Sequence, residues 1–128
     1  MWKQALPLVD LAEACCAPLT DASLDEEQAD NLAPMFKALG DPVRLRLLSM
    51  IASAPNGEIC VCELTPNFAQ AGPTISHHLK VLREAGLVAA ERRGTWVYYW
   101  PRLGNLRELA ALLDVAPPVP DKVTAAAS

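Results

Sequence analysis

PTISHHLKVLREAGLVAAERRGTWVYYW, residues 73–100, changes its hydrophobic period half-way along. Up to Ala85 the apolar residues recur at helical spacing. At ~100° per residue, Ile75, Leu79 and Leu82 fall within about 40° of one another on one face. After Gly86 that spacing ends. Leu87 to Arg92 and Trp96 to Trp100 are two strand-like runs, the second of them Val, Tyr and Trp throughout, and Arg93-Gly94-Thr95 supplies a glycine turn between them. The pattern predicts a helix over 74–85 followed directly by a β-hairpin.

The flanking segments fit around this unit. Thr65 to Ala71 reads as a short helix, punctuated by Gly72-Pro73. A short helix, a tight turn and a second helix make a helix-turn-helix, and a hairpin directly after it makes a wing. Upstream, Ser23 followed by acidic residues marks a helix start, and a helix is expected from Leu24 to Leu39. Gly40-Asp41-Pro42 breaks it. Asp41 as cap and Pro42 at the first helical position then open a second helix, apolar at Val43, Leu47, Leu48 and Ile51, which ends before Pro55-Asn56-Gly57. A last helix from about Leu103 to Val115 is apolar at Leu103, Leu106, Leu109, Ala110 and Leu113.

The expected fold is therefore mainly α with a β-hairpin wing, a winged helix-turn-helix spanning residues 23–115. Residues 1–22 form an N-terminal arm with room for a helical turn near Val9 to Ala14. Residues 116–128 form a Pro- and Ala-rich tail expected to be disordered. The 128 residues suit one domain, and 52% hydrophobic content is slightly more than a small monomer needs, which points to a buried homodimer interface.

A formal charge of −4 argues against non-specific coating of nucleic acid, where phosphate neutralisation dominates. The charge is sorted, however. Residues 74–96 carry Lys80, Arg83, Arg92 and Arg93 against Glu84 and Glu91 alone. The helix face opposite the apolar stripe carries Thr74, Ser76 and His77, with Lys80 and Arg83 further along, so short hydrogen-bonding groups precede phosphate anchors. Arg92, Arg93 and Thr95 place further polar groups at the hairpin tip. The expected partner is double-stranded operator DNA, read by two such helices of a dimer. His78 lies closer to the apolar stripe and is expected to pack; the two histidines point about 100° apart, which argues against joint chelation of a metal.

Cysteine occurs as Cys15-Cys16 on the arm and as CVCEL, residues 60–64. Pro7, Asp10 and Glu13 interrupt any signal-peptide core, and no apolar run approaches the ~20 residues of a membrane helix. A cytoplasmic protein with no membrane partner is expected, and its four cysteines are expected to be thiols. Cys60 and Cys62 converge on one ion only if this stretch is extended or lies in a helical first turn. A thiol oxidoreductase is disfavoured, because no anion loop or base accompanies the thiols. No enzyme is expected.

ALGDPVRLRLL (38–48), EICVCEL (58–64), PTISHHLKVLREAGLV (73–88) and RRGTWVYYW (92–100) together resemble the ArsR/SmtB metalloregulatory repressors over about residues 32–100. CVCEL looks like the metal-box of arsenic-, cadmium- and lead-responsive members. The resemblance implies a cytoplasmic homodimer that represses metal-resistance genes and leaves its operator when metal binds. The chain departs from the best-known arsenic box, with Thr65 where a third cysteine stands. Pro66 and Gly72-Pro73 also depart from the usual turn. The family's other metal site, built from His, Asp and Glu on the last helix, looks absent, since no histidine follows His78. The arm cysteines are then expected to complete the site. Arsenite, As(III), prefers three thiolates, which Cys15, Cys16 and one of Cys60 or Cys62 would supply; cadmium, Cd(II), or lead, Pb(II), with all four is the alternative. A metal-blind winged-helix regulator, with its cysteines in the core or in a redox switch, is the third reading.

Overall fold

The computed structural model describes residues 17–115. Two helices come first, α1 (Glu26–Leu39) and α2 (Pro42–Ala52). A short strand β1 (Ile59–Cys60) leads without a loop into a one-turn helix α3 (Val61–Leu64) and a 3-10 turn (Thr65–Asn67). Helix α4 (Gly72–Glu84), strands β2 (Val88–Arg93) and β3 (Trp96–Pro101) and helix α5 (Leu103–Leu113) complete the chain. This is the expected winged helix.

Local chemistry sets the helix boundaries. Asp25, two residues later than the expected Ser23, caps α1: it accepts from Gln28 N at 2.8 Å while Gln28 Oε1 accepts from Asp25 N at 2.9 Å. Satisfying two backbone donors reciprocally outweighs a lone serine cap. Asp41 caps α2 as expected, accepting from Val43 N at 2.9 Å and Arg44 N at 3.1 Å, with Pro42 where a missing N–H costs nothing.

The wing holds one strand more than the expected hairpin. All pairing is antiparallel in the order β1-β3-β2, with Ile59 opposite Tyr99 and Cys60 opposite Tyr98. Gly94, at a φ of 67°, turns the two-residue loop between β2 and β3, a conformation that favours glycine.

One core joins the elements. Leu32 and Met35 of α1, Leu47 and Ile51 of α2, and Ile75, Leu79 and Leu82 of α4 are buried together with Leu64 and Leu87. Leu109 and Leu112 of α5 belong to this core, whereas Leu103 and Leu113 remain 53% and 55% exposed. Leu109, expected among the last helix's apolar residues, is thus internal to the protomer. Leu19 N donates to Leu112 O at 3.0 Å, so the segment preceding α1 runs along the end of α5.

Candidate nucleic-acid interface and thiol site

Ile75, Leu79 and Leu82 are each fully buried. Burial at on the order of 1.5–3 kcal/mol per side chain fixes the rotation of α4 about its axis. Thr74, Ser76, His77, Lys80 and Arg83 are consequently exposed together, as the spacing predicts. The helix starts at Gly72, two residues before the expected Thr74, with Ala71 O accepting from Thr74 N and Ile75 N in place of a side-chain cap. Its other end is closed by Gly86 at a φ of 84°, with Gly86 N bonded to Arg83 O and Leu87 N to Leu82 O. Asn105, buried on α5, donates from Nδ2 to Gly86 O at 2.6 Å and ties that end to the last helix.

His78 is half-buried, as expected, and lies 3.2 Å by Nδ1 from Arg44 Nη1. A guanidinium only donates, so Nδ1 accepts and the ring proton sits on Nε2. Arg44 Nε donates in turn to Ala38 O at 2.6 Å. The rings of His77 and His78 are 6.0 Å apart and tilted by 55°, and His78's committed nitrogen removes it from any shared metal site.

On the wing, Arg92, Arg93 and Thr95 are exposed. Arg93 is nevertheless engaged. Its Nη2 donates to Glu58 Oε1 at 2.9 Å and to Glu91 Oε1 at 2.8 Å, Nη1 donates to Glu58 Oε2, and the guanidinium lies 4.6 Å from the Tyr98 ring centroid. Hydrogen bonding by Arg93 holds the Glu58 carboxyl below the usual range, and Glu58 together with Glu91 raises Arg93 above its ordinary value. The Glu58–Arg93 partnership joins residues 35 apart and leaves no local trace in the sequence.

Cys60 is buried and Cys62 exposed. Cys60 has extended backbone and acts as N-cap of α3, its Sγ accepting from Cys62 N at 3.2 Å. The short helix therefore begins at Val61, four residues before the expected start. Both sulfurs converge, side by side across a Cα–Cα distance of 5.1 Å. One-residue spacing across a strand-to-helix junction brings the two Cα atoms inside the range that permits either a disulfide or joint chelation. Among the described residues no group of three or more His, Cys, Asp or Glu could hold a metal ion. Cys15 and Cys16 lie outside the described residues.

Residues 41–90, from the cap of α2 through the helix-turn-helix into β2, match the bacterial regulatory protein arsR family. An uncharacterized HTH-type transcriptional regulator of Methanocaldococcus jannaschii is 41% identical over 88 residues, 69% of this chain and 97% of that protein. The chain belongs to the arsR family. An arsenic resistance transcriptional regulator of Pseudomonas putida is 49% identical over 65 residues, covering 51% of this arsR-family chain and 49% of its own length. The chain thus spans about half of that relative. A solved structure described as a possible transcriptional regulator for arsenical resistance superposes with a TM-score of 0.56 at 34% identity, over 63% of this chain and 81% of that one. As an arsR-family protein the chain is a transcriptional regulator and not an enzyme. Among the described residues no helix is long and apolar enough to cross a membrane.

Proposed function

We propose that this arsR-family regulator is a homodimeric repressor that grips operator DNA with α4 and the wing and releases it when arsenite binds its cysteine thiolates. The convergence of Cys60 and Cys62 at the start of α3 carries this reading. As thiolates the pair offers two soft donors to one ion, and a thiolate of the arm, Cys15 or Cys16, supplies the third. The sequence alone suggested Cys15, Cys16 and only one of Cys60 and Cys62; the convergence of Cys60 and Cys62 supports a different set, both of them with one arm thiolate. Leu19, in the described part of the arm, is bonded to the end of α5. Thr74, Ser76 and His77 are the base-reading groups, and Lys80, Arg83, Arg92, Arg93 and Thr95 the groups that meet the backbone. Metal and DNA then weaken each other through one coupling free energy.

The test is operator binding by the reduced chain on its own upstream DNA, titrated with arsenite, cadmium, lead and zinc. Arsenite is expected to weaken binding on the order of 5–150-fold. Release by cadmium or lead, lost on removal of any one cysteine, would establish the four-thiolate alternative instead. No response to any of the four ions would leave a metal-blind regulator.

A further inference from the structure

The thiol site and the wing share a strand. The principal backbone neighbours of α3 are β1, the 3-10 turn and β3, whereas those of α4 are α1, α2 and β2. An ion held at Cys60 and Cys62 therefore acts first on the sheet, not on the reading helix. Cys60 stands opposite Tyr98, and Tyr98 opposite Glu91. Directly opposed residues share a face, as do residues two apart on one strand, so Cys60, Tyr98, Glu91 and Arg93 lie on one side of the sheet.

Arg93 crosses that face. From the last position of β2, beside the Gly94 turn, its guanidinium passes over Tyr98 and takes both carboxylate oxygens of Glu58, two residues before Cys60. Glu91 holds it from its own strand. An exposed ion pair does little for stability. A planar fork on a carboxylate does fix orientation as well as distance. One side chain thus fastens the strand that carries the metal-box to the end of the wing.

We propose that the Glu58–Arg93 pair is the latch through which the thiol site controls the wing. Latched, the wing is aligned for DNA; an ion bound by Cys60 and Cys62 moves β1, and Glu58 takes Arg93 and the wing tip with it. Both residues are positioning residues in this device. The inference rests on the effector reading above and names the route of its signal.

Glu58→Gln is the decisive variant, since Glu58 belongs to neither the thiol set nor the DNA face. Three quantities are measured by anisotropy and near-ultraviolet arsenic–thiolate absorption: operator affinity without arsenite, operator affinity with it, and arsenite binding itself. The latch predicts unchanged arsenite binding. It also predicts ion-free operator affinity within about fivefold of wild type, the most an exposed pair is worth. The arsenite response should fall from the 5–150-fold range to about twofold or less. The conservative variant Glu58→Asp, which keeps a carboxylate facing Arg93, should retain the response. A wild-type response in Glu58→Gln overturns the latch, and so does loss of arsenite binding, which would place Glu58 in the metal site. A wild-type chain that keeps its operator in arsenite fails in the unmutated arm, so the effector reading itself falls and takes the latch with it.

Discussion

Asp41 serves α2 with a single carboxylate oxygen, which accepts from two backbone donors at the helix start. The Arg44 N–H, opposed by a smaller desolvation and then joined by the Val43 N–H and the nearby Arg44 charge, holds its carboxyl below the ordinary aspartate range. A lowered folded pKa contributes stability that is full above the unfolded value of about 3.9 and is lost as pH falls through the folded one. Asp41→Asn retains an acceptor oxygen without the charge. Its melting temperature should lie below wild type at neutral pH and converge with it on acidification, while Asp41→Ala stays lower throughout. Asp41 was legible in the sequence because Asp-Pro is a strong start signal. Cys60 as a cap was not, because sulfur is outside the usual capping set and alternating Ile59 to Leu64 imitates a strand. Ser23 misled for a different reason: Ser23-x-x-Glu26 and Asp25-x-x-Gln28 are both capping boxes, and spacing alone cannot choose between them.

The reading helix was legible as an element, since its buried and exposed faces follow from periodicity alone. The ties that hold it in place were not, because they run to residues distant in the chain. Gly86 is one such tie: a Cβ there would sit 3.0 Å from Asn105 Nδ2 and occupy left-handed backbone. Gly86→Ala should destabilise the domain by roughly 1–2 kcal/mol from backbone strain alone. Asn105→Ala, which strands the Gly86 carbonyl, should cost about 1–3 kcal/mol in denaturant melts. The exposed face makes its own prediction on DNA. Ser76→Ala or His77→Ala should lose about 1–3 kcal/mol per base contact and blur sequence preference, whereas Arg92→Ala should weaken all sequences alike and lower the salt slope by about one. Operator binding by all three variants at wild-type affinity and specificity would move the interface off α4. The third strand of the wing, Ile59–Cys60, could not be separated from the strand-like run to Leu64, because two residues are too short to show a period of their own.

At the scale of the whole molecule, Leu103 and Leu113 of α5 remain more than half exposed, with Leu19 and Val115 also showing. These residues suit a two-fold interface, and composition had already hinted at one. Leu113→Glu should yield a folded monomer in light scattering with weakened operator binding. Leu109→Glu should instead unfold the protomer, since that side chain is 5% exposed within the core. A Leu113→Glu chain that is still dimeric would place the interface elsewhere. The central claim is that arsenite acts through the thiolates at the start of α3. Its most direct test is operator affinity with and without arsenite for reduced wild type beside the double variant Cys60→Ser/Cys62→Ser. The account predicts that both bind operator alike without arsenite and that only wild type lets go when it is added. Release of operator by the double variant at the same arsenite concentration would contradict it.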